Sequence, residues 1–183
     1  MSCTSYQCAS IEEQALTACG ELVPGGQDQI VIFPCGQEPA DPEDGTAIAA
    51  QIAAGTAFLF SNVMIDIPNP SPQEGQAYVG GQDPRVITYA RTLNWVDANV
   101  NIDSDAAYES INAATGSLIG AAIVNLVNGD GLSAYINPSK GLLMSGGKIF
   151  PPDDSAAVHY AYVGKWKSKS DVQMIATPAG VFN

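Results

Sequence analysis

Thiols, a single imidazole, a glycine-rich run ending in lysine and adjacent carboxylates are the groups in this chain whose types suit chemistry. Cys3, Cys8, Cys19 and Cys35 are spaced 5, 11 and 16 positions apart, and the only histidine, His159, is remote from them. Structural zinc sites draw on tighter pairs such as C-x-x-C, so the expectation is no metal and no cofactor. In a reducing compartment these are small buried thiols, and in an oxidising one they form disulfides whose pairing the spacing leaves open. The run Gly141-Leu142-Leu143-Met144-Ser145-Gly146-Gly147-Lys148 looks like a phosphate loop, but Gly147 stands where the lysine is required. Taking Gly147-Lys148 as the closing pair puts Ile149 where a magnesium-binding hydroxyl belongs, and the run reads as a glycine turn. His159 has no Ser or Cys partner in a recognised motif. Glu12-Glu13, Glu43-Asp44 and Asp153-Asp154 fall at a helix start or in turns, where the helix dipole or solvent accounts for them. No catalytic residue is assigned, and the chain is read as non-enzymatic.

The elements that would position these groups follow from periodicity. Ser10 and Glu13 form a capping box for a helix reaching Cys19, which Gly20 ends. After the Pro24-Gly25-Gly26 turn, Ile30-Val31-Ile32-Phe33 is a buried strand. Acids at Asp41, Glu43 and Asp44 precede a helix over 46–54 in which Ile48 and Ile52 share a face, and Gly55 stops it. Residues 58–67 form a strand bounded by Pro68. From Pro68 to Pro84 the Pro and Gly content predicts a long loop without regular structure. Loops of that length inside a compact domain are uncommon and often functional, so Pro70, Pro72 and Tyr78 are candidate contacts between copies.

Beyond the loop, residues 85–96 alternate, with Ile87, Tyr89, Leu93 and Trp95 on one face. Asp103-Ser104 caps a helix in which Ala107, Ile111 and Ala114 recur. Residues 118–127 suit a strand or an extension of that helix; Gly116, Gly120 and the Asn128-Gly129-Asp130-Gly131 turn favour the strand. The last third predicts strands over 148–150, 158–169 and 172–177. In the middle one, Val158, Tyr160, Tyr162 and Trp166 point one way, and His159, Ala161, Val163, Lys165, Lys167 and Lys169 the other. The lysines form a basic edge, either a contact surface between copies or the common device that blocks unwanted strand pairing. The aromatics lie opposite the lysines, as core residues do, and not as an RNA-stacking platform.

Charge is segregated along the chain. Residues 1–139 carry 16 of the 19 acids against Arg85 and Arg91, whereas residues 140–183 carry all five lysines against three acids. Folded, one copy would offer acidic and basic surfaces able to attract each other between copies. A formal charge of −12 excludes the basic footprint of a nucleic-acid binder. With 183 residues, 46% hydrophobic and 14% charged, one globular domain is expected, and the order of elements above makes it mainly β with one or two helices. No apolar run reaches the length of a membrane span, and Met1 leads into Ser2, Cys3 and Thr4 rather than a basic, then apolar, leader.

The helix Ile48-Ala49-Ala50-Gln51-Ile52-Ala53-Ala54-Gly55, the strand through Ile87 to Asp97 and the helix after Asp105 together resemble virion structural proteins of tailed bacteriophages, most closely tail tube subunits. The resemblance covers about half the chain and rests on pattern rather than on a diagnostic motif. It implies a β-sandwich or barrel-like sheet with a long inter-strand loop, in a subunit that joins copies of itself and other virion proteins. Rings of such subunits would stack into a conduit that passes DNA without specific binding, in a virion assembled in the host cytoplasm. Acids such as Asp41, Glu43 and Asp97 would then face the passage. A capsid decoration protein is the alternative within the same class, and a small Cys-ligated metal or redox protein the alternative outside it.

Overall fold

The computed structural model describes residues 28–74, 86–98, 100, 105, 108–109, 111–112, 118–125, 131–152 and 157–182. The predicted helix over 10–19, Cys3, Cys8 and Cys19, and Tyr78 lie outside them. The fold is mainly β with helical segments, as the sequence implies. Its strands are β1 (Asp28–Phe33), β2 (Phe58–Asp66), β3 (Ser71–Glu74), β4 (Val86–Asp97), β5 (Leu118–Ile119), β6 (Ala121–Asn125), β7 (Leu132–Ile136), β8 (Leu142–Ile149), β9 (His159–Ser168) and β10 (Gln173–Ala176). One helix, α1, covers Gly45–Ala53.

All pairings are antiparallel and run β10-β7-β6-β1-β2-β4-β9-β8-β5. The sheet closes on itself because β5 and β6 are one stretch of chain bent at Gly120. Leu118 and Ile119 pair with β8, whereas Ala121 to Asn125 pair with β1. Gly120 N–H donates to the Phe33 carbonyl at the bend. The strand expected over 118–127 is thus present, and it is the seam of a barrel-like sheet.

Alternation fills the interior. Ile30 and Ile32, Leu93 and Trp95, Leu142 and Met144, and Tyr160, Tyr162 and Trp166 turn inward into one core. Along β2 the inward residues change from Phe58 and Phe60 to Val63 and Ile65, because the register with β1 shifts between Phe60 and Val63. Tyr108 and Ile111 belong to helical residues in the segment where the second helix is predicted, and they fill the same core.

β1 is buried on both faces. Its outward residues Val31 and Phe33 meet Ile48 of α1 together with Ile123, Ile175 and Val181 in a second, smaller core. α1 starts where the sequence says: Asp44 accepts from Thr46 N and Ala47 N at 3.1 Å each. Gly55, at φ +69°, turns the chain out of the helix.

Two expectations fail. Ser71–Glu74, inside the predicted loop, is strand β3, paired with Ala90, Tyr89, Thr88 and Val86 of β4. It continues the edge of β4 that β2 occupies further along, the two pieces separated by Pro68 and Pro70, as a proline-broken strand would be. The run Gly141 to Lys148 is no glycine turn but most of β8. Its glycine has a steric reason: a Cβ on Gly146 would collide with the Ala161 carbonyl and lie 2.7 Å from Tyr162 Cα.

Candidate interaction surface

The strand with the clearest alternation supplies the candidate surface. Tyr160, Tyr162 and Trp166 are buried, while Lys165 and Lys167 on β9 and Lys169 just past it are exposed. The lysines do not form one continuous edge. Lys165 sits between Thr92 of β4 and Leu143 of β8, where it has no free strand edge to guard, and the pairing-block explanation is removed for it. Lys167 pairs with Ala90 of β4 alone, and Lys169 lies past the strand.

Across the outer face of β2, β4, β9 and β8 runs a small and apolar row, Met64, Val96, Ala161 and Gly147, and beside it a mixed row, Asp66, Asn94, Val163 and Ser145, whose Asp66 is exposed. Met64, Leu143 and Ile149 are 55%, 49% and 44% exposed there. Nothing among the described residues covers this face, whereas α1 and the last residues cover the outer face of β1 and β6.

The free edges are blunted. Pro72 withholds an amide donor from β3, and the Ala176 N–H of β10 donates to Glu43 Oε1 at 3.0 Å. Pro72 is exposed and Pro70 half-buried; neither touches the lysines in any described hydrogen bond or ion pair. Of the candidate contacts among the described residues, the lysines gather into a surface and Pro70 and Pro72 do not join it.

Charge is less segregated in space than along the chain. Arg91, 7% exposed, pairs with Asp171 at 2.8 Å. Lys148 reaches Asp105 at 2.5 Å and lies over the Tyr160 ring. Lys165, Lys167 and Lys169 pair with no carboxylate among the described residues. Lys167 and Lys169 also border a cleft of about 610 Å³, with Asn137, Ser139, Ser170 and Gln173 on its walls.

The acids divide just as sharply. Asp41, Glu43 and Asp44 are exposed. Asp97 is 0% exposed and accepts a 2.7 Å hydrogen bond from the Tyr108 hydroxyl, so it cannot line a passage as expected from the sequence. Tyr108 sits in an aromatic cluster, stacked on Tyr160 and Tyr162 at centroid distances of 4.2 and 4.8 Å. Burial, then the Asp97 charge and its hydrogen bond, push the Tyr108 hydroxyl far above its ordinary range. Burial raises Tyr162 to about 12. The Ala107, Ile111, Ala114 repeat passes over Tyr108, although its i,i+3 spacing to Ile111 is a helical-face signal and both fill the same core.

The groups considered for chemistry stay apart. His159 Nδ1 lies 3.0 Å from the Ala157 carbonyl oxygen, and the Cys35 thiol donates to the Leu118 carbonyl at 3.8 Å. Among the described residues no three His, Cys, Asp or Glu side chains gather as metal ligands, and no helix is long and apolar enough to cross a membrane. No family model, characterised protein or solved structure matches this chain.

Proposed function

We propose that this chain is a non-enzymatic structural subunit that packs with copies of itself into rings of a virion, of the tail tube kind, whose stack conducts DNA. The observation that carries the reading is the outer face of β2, β4, β9 and β8, which nothing among the described residues covers: Leu143 lies beside Lys165, and Met64 and Ile149 are exposed further along the same face. Covering their exposed portions would contribute roughly 1 kcal/mol each, a start on an interface that charge attraction must complete. A formal charge of −12 supports the conduit, since an acidic wall repels phosphate and lets a polyanion slide. Asp41, Glu43 and Asp44 are available for such a wall, and Asp97 is not.

Sedimentation velocity and negative-stain imaging of the purified chain test this. Rings or short tubes are expected for the parent, and monomers for Leu143→Asp combined with Lys165→Glu, which replaces an apolar and a basic neighbour by acids. A parent that stays monomeric at every concentration would refute self-assembly. Binding only to a preformed shell would instead point to a decoration protein.

A further inference from the structure

We infer that the cleft bordered by Lys167 and Lys169 is the receiving half of a head-to-tail contact, and that its occupant is the acidic loop around Asp41 and Glu43 of a second copy. This rests on the self-assembly reading and names a specific contact within it.

The cleft holds about 610 Å³, more than a small ion fills and enough for a short loop of chain. It is lined by groups that bind carboxylates: two ammonium groups with no acidic partner among the described residues, and the amides and hydroxyls of Asn137, Gln173, Ser139 and Ser170. Among the described residues on its wall the one carboxylate, Asp171, is engaged by Arg91. The loop is the complementary object. Asp41, Glu43 and Asp44 are all exposed, and none meets a cation among the described residues.

Strand β10 relates the two. Its first residue, Gln173, is on the cleft wall, and its last, Ala176, is held by Glu43. Those residues are about 10 Å apart at the usual rise per residue, so base and acid flank opposite ends of one strand. A copy displaced along that strand brings its cleft toward the acidic loop of the copy before it. The two patches are different surfaces, so the contact is heterologous, and repeated contacts must close into a ring or propagate into a stack.

The loop's acids also have internal roles, which makes amide substitution the clean probe. Asp41 Oδ1 accepts from Glu43 N, and Glu43 Oε1 from Ala176 N, and an amide oxygen can accept both bonds without the charge. Two variants are made: Asp41→Asn with Glu43→Gln, and Lys167→Gln with Lys169→Gln. Far-ultraviolet circular dichroism and thermal melting establish that each folds as the parent does. In sedimentation velocity at low salt, each should associate at least about tenfold more weakly than the parent. That difference should shrink at high salt. Mixed together, the two retain one competent loop and one competent cleft, so they should form a heterodimer and stop there.

If the parent assembles and either variant assembles equally well, or the mixture grows past dimers, the contact is refuted while self-assembly stands. If the parent never assembles, both readings fall. Dimers of each variant alone, as strong as the parent's, would also refute the contact.

Discussion

Replacing Tyr108 by Phe isolates one hydroxyl at the centre of the fold. The ring should stay where it is, because its contacts with Phe60, Tyr160 and Tyr162 involve the aromatic faces. What is lost is a 2.7 Å donor to a fully buried carboxyl group. Hydrogen bonds to charged groups contribute about 1.5–3 kcal/mol, and complete burial places this one in the middle of that range or above, so a loss of about 2 kcal/mol is expected. Tyr160→Phe is the internal control. Its hydroxyl also meets a carboxylate, Asp105, but that group is partly exposed and keeps Lys148, so the loss should stay below about 1 kcal/mol. Urea unfolding followed by the fluorescence of buried Trp95 reads both variants. With a slope of about 2 kcal/mol per molar, Tyr108→Phe should lower the midpoint by about 1 M. A fall of less than about 0.5 kcal/mol, or an equal fall in the control, would refute the assignment of Asp97 as an interior anchor and return it to the acids available for a conduit wall.

Two neighbouring glycines of β8 should respond oppositely. Gly146→Ala drives a Cβ into the backbone of β9 and should cost about 2 kcal/mol or more, whereas Gly147→Ala meets nothing within 4 Å and should stay within about 0.5 kcal/mol. Equal melting temperatures for the pair would contradict the strand assignment. Stability should also decline at alkaline pH. Tyr162 titrates near 10.0 when unfolded but near 12 when folded, so between those values the unfolded chain releases a proton that the folded chain keeps, and unfolding becomes easier as pH rises. Tyr162→Phe should flatten the decline in that window; an unchanged slope would mean that the hydroxyl is not held in its neutral form by burial.

Elements defined by neighbours in sequence were legible. The start of α1 at Asp44 and its end before Gly55 need only a capping carboxylate and a residue free to take positive φ. The inward and outward faces of β9 follow from side-chain alternation alone, and so does the exposure of Lys165 and Lys167. Of β8 only the end, in the strand expected over 148–150, was legible, because the glycines before it read as turn formers by propensity. Here Gly146 sits in a strand because β9 approaches too closely for a side chain, a fact that exists only once those strands pair.

Charge shows the same division. Composition shows that lysines and acids occupy different lengths of chain, yet it cannot say which of them meet. Arg91 finds Asp171 80 residues away and Lys148 finds Asp105 43 residues away, because β4, β8 and β9 lie side by side in the closed sheet. Asp97 and Asp41 are the same residue type in an acidic stretch. One ends a strand beneath Tyr108 and is sealed from water, and the other stands in an open loop. Local pattern determines which way a side chain points from its own element, whereas strand order and barrel closure decide what stands there to meet it.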